Sequence, residues 1–534
     1  MALPEPRRDA AEHLVRVADL DDLAGKGTKV VKVGKKQIAL FKTSSGVYAC
    51  NNRCPHEGYP LVEGNATGGC VLTCNWHNWK FDLESGETLI GGDRLRRYPV
   101  TLKDGQVWLD VSDPPAEALQ ARAMENLYAC FRREETIRMA RELARLQRVG
   151  GDPLDAVRAA FEWTLDRFEF GATHAQGAAA DWLALRDAYA RDEAERLVPL
   201  VEIIGHLCHD SLREAAYPFT QTSAAYDAAA LFAAIEDEDE GAAVAQIRGA
   251  LAEGLGFTEL EEPLCQAALA HYNDFGHALI YVIKTGQLIA RLGEAAAAPL
   301  LLSLVRMLVN TSREDLIPEF RSYAAALEAW DGRGAARPSA AAFAGLSAKR
   351  AMALCVEASG DPVALYHVLL EAGAWQMLHF DLSAQARTDG PISQNVTWLF
   401  YTHLFTFANA VRTACERYPE LWPQALLQMA CFVGRNARYV DAQQDTSQWA
   451  VPDAKLFLDE TMGSLFDHAQ PEFIVSCHLV KILTAVRSET EAAPDAPWVP
   501  VLLAATNRFL NSPLKRRHIL RSAKQALDFV EIED

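Results

Sequence analysis

Hydrophobic residues follow two different periods along this 534-residue chain, and the change falls near residue 112. Over residues 14–50, β-branched and polar residues alternate on either side of turn signals such as Gly34-Lys35. Alternation with a period of two is typical of half-buried strands. The predicted strands are 29–33, 37–41, 47–50, 88–90, 98–101 and 107–111. The first part of the chain is therefore predicted to form a small antiparallel β domain.

Beyond the pair Pro114-Pro115, apolar positions recur about every 3.6 residues in segments rich in Ala, Leu, Glu and Arg. This spacing predicts amphipathic helices, and strand patterns nearly vanish. The clearest helical segments are 117–148, 153–168, 176–191, 264–292 and 296–310. The predicted fold class is α+β in two domains: an antiparallel β domain over 1–112, a linker over 113–122 and a large all-α domain over 123–534.

Two short segments of the β domain carry a mixed set of metal ligands. Cys54-Pro55-His56 is followed, after 17 residues, by Cys74-Asn75-Trp76-His77, so each segment offers one thiol and one imidazole. Zinc fingers instead pair cysteine with cysteine and histidine with histidine at short spacing. Two cysteines on one iron and two histidines on the other are the ligands of a Rieske [2Fe–2S] cluster. The chain thus resembles Rieske proteins, and the resemblance implies Cys54, His56, Cys74 and His77 as cluster ligands.

The flanking residues indicate which Rieske proteins the chain resembles. Respiratory-complex Rieske proteins have an extra cysteine in each loop, where this chain has Tyr59 and Trp76. They also have serine and tyrosine hydroxyls near the second loop, where this chain has Trp79 and Phe81. Fewer hydrogen bonds to the cluster sulfurs imply a lower reduction potential. The resemblance is therefore to the ferredoxins and oxygenase components that pass single electrons to a catalytic metal.

Composition and charge exclude several classes of partner. The formal net charge is −19, and residues 1–111 carry 15 basic against 14 acidic side chains, so the negative excess lies in the helical part. Such a chain is not expected to bind nucleic acid. The N-terminus has no apolar segment, and the longest apolar run, 295–305, is too short to span a bilayer. We therefore expect a cytoplasmic protein without a membrane partner. The 11 cysteines show no disulfide spacing.

A Rieske cluster does no substrate chemistry itself, so the helical domain is expected to hold an electron acceptor. The ring-hydroxylating oxygenases need a second histidine that the segment Asp274-x2-His277 lacks, and no Glu-x-x-His motif of ferritin-like di-iron sites occurs in the chain. Four histidines do lie in apolar helical segments, and imidazole is a common iron ligand. These four are His174, His277, His403 and His478.

The four segments, in their order and helical setting, resemble the questin oxidase-like family, helical oxygenases that cleave aromatic polyketide rings. The resemblance implies a mononuclear iron held by the four histidines and by a carboxylated lysine, which falls on Lys481. His478 and Lys481 also share one helical face, because they are three residues apart. These two residues are the predicted catalytic pair.

Other side chains compete for these roles. The alternative iron ligands are His271, His367, His379 and the pair His206 and His209. Lys284 is the alternative carboxylated lysine. Lys481 has apolar sequence neighbours, and desolvation would lower the pKa of its amine towards the neutral form that carbon dioxide needs. A lysine that extends from a buried helix to the surface is the other interpretation.

Together these observations predict a Rieske-dependent non-haem iron oxygenase. The cluster passes electrons to the iron, which activates O2 to oxidise or cleave an apolar, aromatic or polyketide-like substrate. Aromatic segments such as 398–401 and 374–375 are expected to line its pocket. A ferredoxin or flavin reductase is the expected electron donor, and a homo-oligomer is compatible with the sequence. The alternative is a non-catalytic electron-transfer or redox-sensing module with a helical interaction scaffold.

Overall fold

The computed structural model describes residues 14–67, 69–211, 215–387, 395–512 and 519–533. It divides into two compact units, Met1–Pro153 and Leu154–Asp534. Among the described residues, the first unit contains three antiparallel sheets and two helices, and the second contains only helices and loops. The predicted fold class is confirmed. No helix within the described ranges has an apolar stretch long enough to cross a membrane.

The sheets of the first unit have the orders β1-β10-β9, β2-β3-β4 and β5-β6-β7-β8. Their strands are β1 (Leu14–Asp19), β2 (Thr28–Val33), β3 (Lys36–Lys42), β4 (Val47–Asn51), β5 (Asn65–Thr67), β6 (Val71–Thr73), β7 (Lys80–Asp82), β8 (Thr88–Ile90), β9 (Val100–Lys103) and β10 (Gln106–Asp110). The predicted strands did not include β1, β5, β6 or β7, whereas β8, which is as short as β5, β6 and β7, was predicted.

Strand β3 separates two hydrophobic cores, since successive side chains of a strand point to opposite faces. Ile38 and Leu40 pack into a core shared with residues of β1 and β10. Ala39 and Phe41 pack into a second core, which also contains Cys54 and Cys74. The alternation that predicted this strand therefore also positions the two cysteines of the predicted cluster.

Two helices follow the strands within the first unit. They are α1 (Ala116–Phe131) and α2 (Thr136–Arg148), so the predicted linker 113–122 is helical from Ala116 onward. The compact unit that contains the β domain ends at Pro153. A buried ion pair between Arg138 and Asp93 joins α2 to the β domain. The prolines at 114 and 115 precede the first turn of a helix, where proline is well tolerated.

The second unit is built from helices α3 to α20. They are α3 (Pro153–Thr164), α4 (His174–Tyr189), α5 (Glu193–Ser211), α6 (Ala228–Glu236), α7 (Glu240–Ala252), α8 (Phe257–Ala270), α9 (His277–Leu292), α10 (Ala297–Asn310), α11 (Tyr323–Glu328), α12 (Ala348–Glu357), α13 (Pro362–Leu378), α14 (Leu382–Ala386), α15 (Leu399–Arg417), α16 (Trp422–Asn436), α17 (Ala454–Ser464), α18 (Phe473–Ala492), α19 (Val499–Leu510) and α20 (Ile519–Glu533). Helices α4, α9, α15 and α18 contact one another in a closed ring. The segment predicted as one helix over 264–292 is interrupted, because α8 ends at Ala270 and α9 begins at His277.

Replacing Arg138 by alanine is expected to destabilise the first unit. Arg138 is 5% exposed and Asp93 is 1% exposed. Removing one partner of a buried ion pair costs about 3–5 kcal/mol, because the other charge stays buried and unpaired. Native-state hydrogen exchange of the β2 and β3 amides should report this loss. Arg132→Ala, at an exposed site in the same unit, is the control and should change the free energy of unfolding by less than about 0.5 kcal/mol. An equal effect of the two substitutions would contradict the assignment.

Candidate metal centres

The two segments that carry the predicted cluster ligands fold into loops with the same hydrogen-bond pattern. In each loop the cysteine N–H donates to the carbonyl five residues later, and the cysteine carbonyl accepts from the N–H four residues later. These bonds join Cys54 to Tyr59 and Gly58, and Cys74 to Trp79 and Asn78, at 2.8 to 3.0 Å. Gly58 and Asn78 both have left-handed backbone conformations, with φ of 79° and 58°. Glycine and asparagine are among the residues that tolerate this conformation best.

These loops bring the four predicted cluster ligands together. Cys54 and Cys74 are buried in the same core. The rings of His56 and His77 lie with their centroids 4.6 Å apart, and His56 stacks on Trp79 at 4.5 Å. The His77 side chain is 41% exposed. The result is a buried pair of thiols beside a more accessible pair of imidazoles.

The chemistry of these side chains fits a bound iron–sulfur cluster. Burial, together with the neighbouring Cys74 thiol, raises the pKa of Cys54 to about 12. That thiol therefore keeps its proton at neutral pH unless a metal cation replaces it. The Nδ1 atom of His56 is buried and has no hydrogen-bond partner among the described residues. The two irons of a Rieske cluster would satisfy these groups, because one would bind the Cys54 thiolate and the other the His56 imidazole.

Helix α2 holds the first ligand loop. Arg141 donates hydrogen bonds to the carbonyl oxygens of Pro55 and His56, and the guanidinium of Arg138 lies over the Trp79 ring at 5.7 Å. The positive charge of the Arg141 guanidinium would favour the addition of an electron to a cluster bound by this loop. The two Arg141 hydrogen bonds join the loop to a residue about 85 positions away along the chain, and the sequence did not predict them.

In the second unit, the ring of helices α4, α9, α15 and α18 brings the four predicted histidines together. His174 begins α4 and His277 begins α9, while His403 and His478 lie inside α15 and α18. One nitrogen from each of His174, His277 and His403 lies within 4.8 Å of the others. The ring of His478 is centred 4.9 Å from that of His174 and 5.2 Å from that of His403.

The Nδ1 atoms of three of these histidines are anchored. Nδ1 of His403 and Nδ1 of His478 each lie 2.5 Å from the carbonyl oxygen four residues earlier in their own helices. A carbonyl only accepts, so Nδ1 carries the proton and Nε2 carries a lone pair. Nδ1 of His277 lies 3.3 Å from the carboxylate of Asp274, which favours the same tautomer. Outer partners of this kind orient histidines that bind metals.

These anchors point two lone pairs at each other. Nε2 of His277 and Nε2 of His403 are 3.0 Å apart. With the proton of each neutral ring on Nδ1, no proton lies between the two Nε2 atoms. Burial lowers the pKa of His277 and, with the nearby histidines, lowers that of His403 well below its usual range, so protonation is disfavoured. A metal cation would bind both nitrogens, and Nε2 of His478 is buried without a described hydrogen-bond partner.

Lys481 lies one turn after His478 on α18 and is 2% exposed. Its Nζ atom has no hydrogen-bond partner among the described residues, and burial lowers the pKa of its amine. Lys284, in contrast, forms an ion pair with Asp181 at 2.7 Å. Of the two predicted candidates, Lys481 thus has the amine suited to carboxylation.

The backbone that presents His277 is strained. Asp274, Phe275 and Gly276 have successive φ values of 39°, 53° and 75°. Left-handed conformations cost about 1–3 kcal/mol for residues other than glycine, and they cluster at functional sites. A Cβ atom on Gly276 would lie 2.5 Å from the ring of Phe407, so only glycine fits there. This turn interrupts the predicted helix and sets Asp274 beside His277.

The alternative ligands have other partners. His271 lies between the carboxylates of Asp315 and Glu236, at 2.9 and 3.0 Å. The ring of His367 accepts from the Trp498 indole, the ring of His379 stacks on Trp375, and the ring of His206 stacks on Phe473. His209 also packs against Phe473. The described group of converging nitrogens contains His174, His277 and His403 and none of these five rings. His206 is nevertheless close enough to His478 and Lys481 to interact with them electrostatically.

A small apolar cavity of about 30 Å³ borders His478. Trp398 and Leu399, from the aromatic segment that the sequence singled out, line it together with Phe509. Trp375, from the other segment, instead packs on His379. A cavity of this size has room for about one small molecule such as water or dioxygen.

Comparison with known proteins concerns the centre formed by the two Cys/His loops of the first unit. A family model described as the Rieske [2Fe-2S] domain matches residues 13–94. The ferredoxin component of the alkene monooxygenase system of Xanthobacter autotrophicus is 31% identical over 115 residues, 21% of this chain and 93% of that protein. The 4beta-methylsterol monooxygenase of Methylococcus capsulatus is 36% identical over 111 residues, 18% of this chain and 30% of that protein. Among solved structures, the ferredoxin of carbazole 1,9a-dioxygenase from Nocardioides aromaticivorans is 24% identical, with a TM-score of 0.18, and the match covers 19% of this chain and all of that one.

The antiparallel β domain and its paired Cys/His loops define an iron–sulfur protein. The matched family model and the ferredoxin relatives identify the family. The chain belongs to the Rieske proteins, and its N-terminal domain is a Rieske [2Fe–2S] domain. Relatives of that domain are components of oxygenase systems. Each match named here covers only about a fifth of the chain, so these matches do not describe most of the helical unit.

The metal-free protein is expected to lose stability as the pH falls below about 6.5, the pKa of an unfolded histidine. Burial lowers the folded pKa values of His174, His403 and His478 well below that range. The unfolded chain then binds more protons than the folded chain in acid, so the free energy of unfolding rises with pH up to about 6.5 and levels off above it. Urea unfolding between about pH 5 and pH 8 measures this. His403→Leu should flatten the dependence, and an unchanged dependence would contradict this explanation.

Proposed function

We propose that this protein is a Rieske-dependent non-haem iron oxygenase. In this proposal Cys54, His56, Cys74 and His77 hold the cluster. A mononuclear iron is held by His174, His277, His403 and His478 together with a carboxylated Lys481. The observation that carries the proposal is the 3.0 Å approach of two histidine Nε2 atoms whose Nδ1 protons are engaged elsewhere. A buried metal cation resolves that repulsion, and imidazole is a ligand that iron accepts.

Bound iron would supply the redox chemistry that activates dioxygen, and the chain prepares the site for it. The Nδ1 hydrogen bonds fix the imidazole rings, so little reorganisation accompanies metal binding. Trp398, Leu399 and Phe509 keep the side of the centre next to His478 apolar. This environment suits O2 and an apolar or aromatic substrate, which we propose as the substrate class. A ferredoxin or a flavin reductase is the proposed electron donor.

Carboxylation gives Lys481 a chemical role that its amine cannot fill. An ammonium group does not coordinate a cation. When the neutral amine adds to carbon dioxide, a new N–C bond forms and one proton leaves, which gives a carbamate with anionic oxygens. The burial of Lys481 and its unbonded Nζ atom favour the neutral amine.

A second function is supported by the relatives of the cluster domain. The alkene monooxygenase relative is named a ferredoxin component, and this chain covers 93% of it. Electron transfer to a separate oxygenase is therefore the competing proposal. In that case the helical unit is an interaction scaffold and its histidines bind no iron.

Iron analysis of two variants separates these functions. We expect about three iron atoms per chain in the native protein, two in the cluster and one in the helical unit. Lys481→Met should lose the single iron and keep the cluster absorbance, because it removes only the carbamate. Cys54→Ala should lose the cluster and keep about one iron. Two iron atoms per chain in the native protein, with no loss in Lys481→Met, would favour the electron-transfer function.

Carboxylation is tested by adding ¹³C-bicarbonate and recording the carbon spectrum of the diamagnetic, zinc-loaded protein. A carbamate resonance is expected in the native protein and should be absent in Lys481→Met. Lys284→Gln is the matched control, because Lys284 is the other buried lysine on this ring of helices, and it should keep the resonance. Loss of the signal only in Lys284→Gln would move the assignment to that residue.

A further inference from the structure

The first unit contains a cavity of about 860 Å³ between the β domain and helices α1 and α2. Nine of its lining side chains are lysine or arginine, and two are carboxylates. The basic residues come from both walls. They include Arg53, Arg94 and Arg96 from the β domain and Arg122, Arg145 and Arg148 from the helices. The cavity is strongly positive even though the whole chain has a net charge of −19.

The carboxylates in the cavity do not neutralise it. Asp113 binds both Lys36 and Arg96, at 3.0 and 2.6 Å, and Glu142 binds Arg145. Nine cations against two anions leave an excess of seven positive charges among the lining residues. Two carboxylates outside the lining reduce this excess without removing it, because Arg94 pairs with Glu87, and Arg141 and Arg145 lie 3.8 Å from Asp93. Holding so many like charges around one concave space is unfavourable unless an anion binds there.

Arg122 of α1 is the clearest example of a cation in the cavity without a carboxylate partner in the described part of the chain. It has no ion-pair partner among the described residues. Burial and the nearby cations Arg94, Arg145 and Arg96 lower the pKa of its guanidinium, against a smaller opposing effect of Glu125. A guanidinium offers a planar set of donors that match phosphate oxygens in pairs, and arginine is favoured over lysine where such pairing matters.

The cavity extends to a ligand loop of the Rieske domain. Cys54 and Pro55 line it, and so does Arg141, which donates to the carbonyl oxygens of Pro55 and His56. An anion in the cavity would add negative charge beside this loop. Because the reduced cluster carries one more electron than the oxidised cluster, the anion would bind the oxidised protein more tightly.

We propose that this cavity binds a small polyanion with two or more phosphate groups, and that its binding lowers the reduction potential of the Rieske cluster. The volume falls within the range of about 300–1,000 Å³ that small-molecule sites occupy. A compact ligand fits better than a protein surface, because basic side chains face the space from opposite walls. The proposal rests on the Rieske domain alone and stands apart from the iron site of the helical unit.

Calorimetric titration of the full-length, cluster-loaded protein with inorganic pyrophosphate tests the binding. One saturable site per chain is expected. Arg122→Gln and Arg94→Gln, on opposite walls, should each weaken binding about tenfold or more. Arg132→Gln is the control, because Arg132 is an exposed arginine of the same unit that does not line the cavity. A parallel titration with ADP distinguishes the sources: tighter binding than pyrophosphate indicates a nucleotide, and equal binding indicates recognition of the phosphate groups alone.

Redox titration followed by the visible absorbance of the cluster tests the coupling. If the oxidised protein binds pyrophosphate tenfold more tightly than the reduced protein, the midpoint potential falls by about 59 mV at saturation. Arg122→Gln should largely abolish this shift. Absence of saturable binding, as expected if an acidic protein surface were the natural occupant, would overturn the proposal. Equal weakening by Arg132→Gln, or binding without any change in potential, would also overturn it.

Discussion

The approach of the His277 and His403 Nε2 atoms to within 3.0 Å is the interaction on which the proposed iron centre depends. Their separation of 3.0 Å is imposed by the fold, since a helix carbonyl fixes one ring and the Asp274 carboxylate fixes the other. Buried polar atoms are almost always hydrogen-bonded, and an unpaired one costs about 1–3 kcal/mol. Nε2 of His478 and Nζ of Lys481 lie unpaired beside these rings. In the proposed centre, a metal cation would bind the two facing Nε2 atoms and would also satisfy Nε2 of His478.

The buried ligand side chains of the Rieske domain also need a metal as their partner, but for a different chemical reason. Its two thiols are buried, and the pKa of Cys54 is raised, so a metal cation is needed to hold this soft ligand in its thiolate form. In the proposed function, the helical centre would offer imidazoles and a carboxylated Lys481, which are harder ligands suited to an iron that reacts with oxygen. On that proposal, the Rieske cluster would transfer single electrons and the iron of the helical unit would activate dioxygen.

Much of the first domain could be predicted because its determinants are local in sequence. The ligands of each loop lie within four residues, and β3 shows a clear alternation. The helices α1 and α2 could not be assigned to this domain, because the Arg138–Asp93 ion pair joins residues 45 positions apart. In the helical unit, a family resemblance and the apolar context indicated the four histidines. The choice between Lys481 and Lys284 needed the structure, because Asp181 lies 103 positions from Lys284. The strained turn at 274–276 was not visible either, since packing against Phe407 determines it.

Charge balance gives a further reason to prefer a carboxylated Lys481. A ferrous ion bound by four neutral imidazoles would bury two positive charges, and an ammonium on Lys481 would add a third, which an apolar interior does not tolerate without partners. A carbamate at Lys481 reverses the sign of that side chain and leaves one excess positive charge. The carboxylate of Asp274, held 3.3 Å from Nδ1 of His277, offsets that remaining charge. Lys284 and Asp181 neutralise each other at 2.7 Å and leave this balance unchanged. In the proposed centre, the neighbouring charges thus leave one negative group to be supplied, and a carboxylated Lys481 would supply it.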